Sequence, residues 1–230
     1  MKQNSGFWNK EYKQGNHLAL SDNPSEDLIK FTRWIERESG REFLNVHATA
    51  LDLGCGNGRN LIYLAKQFGI RGIGYDSSKE AIVHAKQLSL DLPIVYETRS
   101  IAGNLPVPDE SQTFVLDMMT SHFLDATERE HLITEIARVL KPGGWLFWKT
   151  FLQDGDMHAK KLLREHPAEE DGSYIHPRMH VAEHVFTEEE VRQVLSYNFT
   201  IHKITKSHRH RDSGRAGKRR SMSIYAERNY

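Results

Sequence analysis

The chain has 230 residues, 38% of them hydrophobic and 27% charged, enough for one buried core of ordinary size. Lysine plus arginine and aspartate plus glutamate both number 31, so any preference for a charged partner has to come from local clustering. The lone Cys55 excludes an intramolecular disulfide, MKQNSGFWNKEYKQG lacks the apolar stretch of a signal peptide, and no run of about 18 apolar residues occurs, so a cytoplasmic protein with no membrane partner is expected.

Pro24 and the spacing of Leu28, Phe31 and Ile35 predict an amphipathic helix beginning near Asn23. From residue 48 to about 151, short β-rich runs alternate with helical patterns, as in parallel βαβ units. ATALDL reads as the first strand and ends in glycines; NLIYLAKQF, with Leu61, Leu64, Ala65 and Phe68, reads as the helix after it. RGIGYD is the second strand, and Ser77 with Glu80 has the spacing of a capping box. Residues 94–98 and 113–119 are the third and fourth strands. Thr127 and Glu130 form a second box ahead of Leu132, Ile136, Val139 and Leu140, and Lys141-Pro142-Gly143-Gly144 ends that helix before a fifth strand, WLFWKTF.

Residues 152–185 are polar and histidine-rich. Thr187 and Glu190 give a third box, with Phe186 and Val191 placed as a hydrophobic staple, and open a helix to about Tyr197. Two last strands, FTIHKITK and SMSIYAE, flank the loop SHRHRDSGRAGKRR. The expected fold is α/β: a doubly wound sheet of seven strands, the last antiparallel, with helices on both faces. The expected organisation is one domain over 1–230, with a helical cover (1–45), a core (46–151), a lid-like insertion (152–185) and a C-terminal helix and hairpin (186–230). Ligands of such sheets bind outside the carboxyl ends of the strands, at the switch point.

LDLGCGNGR carries the strongest signal. Gly54, Gly56 and Gly58 suit a tight turn that a ligand approaches closely. The dinucleotide fingerprint G-x-G-x-x-G would need glycine at position 59, where Arg59 stands, which argues against a nicotinamide oxidoreductase. Asp52 just before the turn suits an ammonium group, and Asp76, about 20 residues past the loop, suits ribose hydroxyls. A ligand with an amino acid at one end and a ribose in its middle satisfies both, and S-adenosylmethionine is such a ligand.

LDLGCGNGR, GIGYDSS, NLPVPDES and ARVLKPGGWL, in that order over residues 48–151, resemble the motif series of class I S-adenosylmethionine-dependent methyltransferases. The resemblance implies a Rossmann-like fold, S-adenosylmethionine as cofactor and S-adenosylhomocysteine as product. It implies that Asp52, Gly54, Cys55, Gly56 and Gly58 hold the methionine end, Asp76 the ribose, and Ser77 the adenine side. Many relatives carry an acid after the third strand that contacts the adenine amino group. Here RSIAGNLP puts Ser100 and Ile101 in its place, so backbone groups and apolar contact are expected to hold the base. LDMMTSHFL matches the segment beneath the sulfonium and puts Asp117 and Met118 near the cofactor; a capping or surface acid is the plainer reading of Asp117.

Methyl transfer needs alignment and exclusion of water more than a fixed catalytic signature. Tyr12 and Trp8 lie in a segment that folds over the cofactor in similar proteins, or else they pack the first helix. His122 follows the fourth strand; a capped or surface histidine is its plainer reading, with a catalytic base as the alternative. His176, His180 and His184 recur every four residues and would share one face of a helix; Pro177 argues against that helix, so no metal is expected and His180 stays a catalytic candidate in a polar lid.

Lys203, Lys206, Arg209, Arg211, Arg215, Lys218, Arg219 and Arg220 are opposed only by Asp212, and their loop is expected on the cofactor side. The expected partner is a small-molecule acceptor, with an anionic one suggested by that loop, and the protein a monomer or homodimer. The alternative is an RNA or protein methyltransferase that docks its substrate on 202–220, although no RNA-binding module is present. A cofactor-binding module without transfer is a further reading.

Overall fold

The computed structural model describes residues 2–14, 21–207 and 219–230. Two helices, α1 (Lys2–Gln14) and α2 (Glu26–Ser39), precede the first strand, β1 (Thr49–Leu53). Then come α3 (Arg59–Phe68), β2 (Arg71–Asp76), α4 (Lys79–Leu88), β3 (Ile94–Thr98) and β4 (Gln112–Met118). A one-turn 3-10 helix, Ser121–Phe123, leads into α5 (Ala126–Val139) and β5 (Leu140–Phe151). The insertion contains α6 (Met157–Glu165), β6 (Ser173–Ile175) and β7 (Ala182–His184), and α7 (Glu188–Leu195), β8 (Phe199–Lys206) and β9 (Ser221–Arg228) close the fold.

Seven strands form one sheet in the order β3-β2-β1-β4-β5-β9-β8. The five strands from β3 to β5 pair in parallel, and β9 runs antiparallel to both β5 and β8. The chain crosses from β1 outward to β2 and β3 and then returns to β4 on the other side, so the switch point falls between β1 and β4.

Strand residues alternate between two cores, as the two-residue repeat of a strand requires. Phe114 and Leu116 of β4, with Trp145 and Phe147 of β5, face α2, α3 and α4 through Phe31, Ile35, Leu61, Leu64 and Ile82. Val115, Leu146 and Trp148 face the opposite way, onto Leu132, Ile136, Val191 and Leu195 of α5 and α7. Phe31 lies flat on Phe147, with ring centroids 4.9 Å apart and planes 6° from parallel. The near-continuous apolar runs of β4 and β5 thus come from burial on both faces.

Local signals shift by a residue or two. The cap of α4 is Ser78, whose Oγ accepts from Ala81 N, not Ser77. The box before α5 is Asp125 with Glu128, not Thr127 with Glu130, because the carboxylate offers the stronger acceptor two residues earlier. Thr187 caps α7 as expected, accepting from Glu190 N at 3.1 Å. Both Phe186 and Val191 are buried in the core on that face.

The insertion is more ordered than its composition suggests. Ala159, Tyr174 and Val185 make a small satellite core, and buried polar ties do the rest. His184 bonds Ser173 Oγ through Nδ1 (2.9 Å) and Glu190 through Nε2 (2.8 Å), while Arg129 of α5 pairs with Glu170. Hence His176, His180 and His184 do not share a helix face: His184 is a buried tie, and the other two flank a hairpin turn. Among the described residues no group of three His, Cys, Asp or Glu is arranged to hold a metal ion, and no helix is long and apolar enough to cross a membrane.

Candidate active site

A cavity of about 430 Å³ opens at the carboxyl ends of β1 to β5. That is within the usual range for a small-ligand site, roughly 300–1,000 Å³. Its floor is the turn after β1. Gly54 N and Cys55 N both donate to Tyr75 O of β2, at 2.8 and 2.9 Å, and this bends the loop back beside Asp76. Gly54, Gly56 and Gly58 have φ of 77°, 56° and 77°, a region that side chains resist. A Cβ on Gly54 would stand 2.2 Å from Thr120 Oγ1, and one on Gly56 would stand 2.4 Å from the Tyr12 hydroxyl. Gly58 caps α3 against Tyr96 and does not itself reach the cavity.

The acids differ in exposure and pairing. Asp76 is on the wall, its carboxylate accepting from Gly56 N (2.9 Å) and Ser78 N (2.8 Å). Burial raises it above the ordinary carboxylate range, and those two N–H groups oppose the rise. Asp52 is 1% exposed, and its Oδ2 has no hydrogen-bond partner among the described residues. Burial, then the carboxylates of Asp76 and Asp117, push it up to about 8, with Arg59 pulling the other way. Asp117 accepts from Ser121 N at 3.1 Å, leaves Oδ2 unpaired, and is pushed to about 6, chiefly by burial. It is therefore a buried acid that holds the turn after β4; neither it nor Asp52 touches the open cavity, whereas Met118 does.

Cys55, Ser77 and Ile101 line the cavity, as expected of them. Ser100 does not: it is exposed and bonds Ala102 N, and its neighbour Arg99 takes the wall instead. Tyr12 and Trp8 of α1 both reach the cavity, and Trp8 meets Phe123 edge-on at 5.0 Å. His122 is on the wall too, 1% exposed, neither a capped nor a surface histidine. His180 is an exposed turn residue at φ 56° away from the cavity, and its neighbour Met179 points in. Sequence reasoning missed Arg99, Lys149, Phe151, Met179 and Glu183. Only Lys149 and Phe151 carried a signal, as the last polar and aromatic residues of the fifth strand.

The basic stretch has its described ends, Lys206 and Arg219, flanking the point where β8 ends and β9 begins beside Phe151 at the carboxyl end of β5. Its described cations are turned inward or paired. Lys206 pairs with Glu188, and Arg219 Nη1 reaches Glu183 at 2.5 Å while its guanidinium lies 3.5 Å over the Phe151 ring. Arg220 is buried, bonding the carbonyls of Asp154 and Ser207, and Lys203 sits over Tyr225. Arg209, Arg211, Arg215, Lys218 and Asp212 lie outside the described residues.

A parallel sheet with a reversed last strand, an acid–glycine turn at its switch point and a second acid at the end of β2 are features of a Rossmann-like α/β domain. Residues 50–144 match the family model described as a methyltransferase domain. A methyltransferase structure from Methanosarcina mazei, titled S-adenosylmethionine-dependent, superposes with a TM-score of 0.69 at 25% identity, over 82% of this chain and 96% of that one. The 27-O-demethylrifamycin SV methyltransferase of Amycolatopsis mediterranei is 33% identical over 59% of this chain and 51% of its own length. The fold also matches the Burkholderia thailandensis 1,6-didemethyltoxoflavin-N1-methyltransferase, solved with 1,6-didemethyltoxoflavin and S-adenosylhomocysteine bound, at a TM-score of 0.66, 16% identity and coverage of 96% and 85%. Residues 50–144 thus resemble a methyltransferase domain, and most of the chain shares the Rossmann-like fold of the Methanosarcina mazei S-adenosylmethionine-dependent enzyme. It spans about half the length of the curated relatives it matches.

Proposed function

We propose that this chain, acting as one domain, transfers a methyl group from S-adenosylmethionine to a small-molecule acceptor. The observation that carries this is the unpaired, fully buried oxygen of Asp52 beside a glycine turn held open by positive φ. A buried carboxylate oxygen without a partner is costly, and a cation bound in the adjoining cavity offsets that cost electrostatically. Asp117 and Asp76 add to the negative potential at the same end of the sheet. That potential favours a ligand carrying an ammonium and a sulfonium over a pyrophosphate.

The turn of Gly54, Cys55 and Gly56 would meet the amino-acid end of the cofactor, with Asp52 behind it attracting the ammonium through its charge and Gly58 shaping the turn. Asp76 keeps lone pairs free for two ribose hydroxyls, and Ser77, Arg99 and Ile101 form the wall for the base, Arg99 taking the place first given to Ser100. When bound, the cofactor supplies an activated methyl group on a good leaving group. The chain's own contribution is to align the acceptor and shut out water, with Tyr12 of α1 lying over the turn and Trp8 lining the cavity beside Phe123.

The rifamycin and toxoflavin enzymes are, by name, methylases of small molecules, and this supports a small acceptor here. The inward pairing of Lys206, Arg219 and Arg220 removes much of the support for an anionic acceptor. It weighs equally against docking of RNA or protein on that loop.

Calorimetric titration with S-adenosylmethionine, S-adenosylhomocysteine and NADH tests the reading. Micromolar binding of the two adenosyl ligands is expected, with none for NADH, and Asp76→Ala should abolish it while circular dichroism shows an intact fold. A folded wild-type protein that binds neither adenosyl ligand would refute it.

A further inference from the structure

The end of the cavity away from the glycine turn has aromatic walls: Trp8 of α1, Phe123 of the one-turn helix and Phe151 at the end of β5, with Met179 reaching in from the β6–β7 turn. His122 is set among them. Its ring lies 4.1 Å from that of Phe123 and 5.0 Å from that of Phe151, centroid to centroid. The residue is 1% exposed, and neither ring nitrogen has a hydrogen-bond partner among the described residues. Buried polar side chains are nearly always paired, and a neutral imidazole has one donor and one acceptor to satisfy. An unpaired imidazole in a cavity wall therefore marks a place where a ligand brings the missing partner.

The charged and titratable groups around it explain why it is available. Burial first, then Arg219 ahead of β9, His184 of β7 and Arg129 of α5, hold its protonation well below the ordinary histidine range. Glu183 of β7, the carboxylate on the same wall, has its Oε2 held by both Arg219 and Tyr174. Glu170 is taken by Arg129. The imidazole is thus kept neutral, with a lone pair free.

Resting on the methyltransferase reading above, we propose that His122 is a catalytic residue that accepts the proton of a hydroxyl carried by a planar aromatic acceptor seated among Trp8, Phe123 and Phe151. A lone pair of the acceptor oxygen forms the new O–CH3 bond as the S–CH3 bond breaks, its electron pair staying on sulfur. The O–H proton passes to the free nitrogen of His122 and leaves to solvent with the product. An oxygen gaining a methyl group becomes strongly acidic, so a weakly basic imidazole suffices, provided that it is unprotonated.

The test uses binding, not turnover. Wild-type protein and His122→Phe, both saturated with S-adenosylhomocysteine, are titrated by calorimetry with 2-naphthol and with 2-methoxynaphthalene. The wild type should prefer the hydroxyl compound roughly tenfold, the worth of one buried hydrogen bond. His122→Phe, which keeps a ring of similar size, should bind the two alike and bind S-adenosylhomocysteine as well as the wild type. A wild type that binds both probes equally, or neither, overturns the proposal and leaves the methyltransferase reading standing, as does a preference that survives in His122→Phe. Failure of the wild type to bind S-adenosylhomocysteine overturns both. If His122→Phe does not fold, the comparison of the two probes on the wild type decides.

Discussion

The two ends of the cavity are built by different means. At the cofactor end, the walls are the first residues beyond β1, β2, β3 and β4, and their positions follow from the sheet: Gly54 and Cys55 bond β2, and Asp76 bonds Gly56. At the acceptor end, the walls come from α1, a one-turn helix, the last residue of β5 and a hairpin turn. They are kept together by side-chain ties such as Arg219–Glu183 and Arg129–Glu170. One end is a property of the backbone; the other depends on particular side chains. Substitutions at the first should therefore abolish cofactor binding, and substitutions at the second should tune the acceptor.

After the loss of binding expected of Asp76→Ala, the next largest effect is expected from Gly54→Ala. The new Cβ would meet three atoms of Thr120 at 2.2 to 2.8 Å, with φ at 77°. Left-handed backbone costs an alanine roughly 1–2 kcal/mol, and Thr120, itself on the cavity wall, has to move as well. A loss of about a hundredfold in affinity for S-adenosylhomocysteine by calorimetry is expected. Near-native affinity would show that the backbone of the turn does not set that end.

Asp52→Asn should sharpen the same contrast through pH. In the free protein Asp52 titrates at about 8, and a cationic ligand prefers it ionised. Binding below that pH therefore releases a proton, and affinity should rise by up to about tenfold per pH unit until it levels off near 8. Titrations in buffers of different ionisation heat measure that proton, and Asp52→Asn should remove the slope. The sign for stability is the reverse. A carboxyl whose folded-state pKa is raised costs stability as pH climbs from its unfolded value towards 8, so the asparagine variant should melt at a higher temperature than the wild type at pH 8 and above. A variant that keeps the slope would assign the proton to another group.

The same division governs what was legible in the sequence. The alternation of strands and helices along the chain, the reversed last strand and the placing of Asp52, Gly54, Gly56, Asp76 and Met118 at one end of the sheet could be read because periodicity, glycines and acids at strand ends encode backbone geometry directly. Caps were misread where an aspartate, Asp125, outcompeted a threonine two residues on, and Ser100 was misread because exposure past a strand end is not periodic. Glu183, Arg219 and Met179 were beyond reach. The insertion that carries two of them has only three residues in its own small core, so its shape rests on ion pairs between partners as much as 41 residues apart, and hydrophobic spacing is silent on those.

The smallest effect should come from Met179→Ala, and it separates the two ends most cleanly. Met179 is half-buried and touches the cavity from the hairpin turn; its backbone N–H donates to His176 Nδ1 at 3.2 Å, so the turn is held whatever the side chain. Truncation should remove contact with the acceptor and nothing else. An aromatic probe should bind roughly threefold more weakly, in proportion to the apolar area lost, while affinity for S-adenosylhomocysteine stays the same. If the affinity for S-adenosylhomocysteine fell instead, with the probe unaffected, the hairpin would belong to the cofactor end. The boundary between the backbone-built and side-chain-built halves would then run on the other side of Met179.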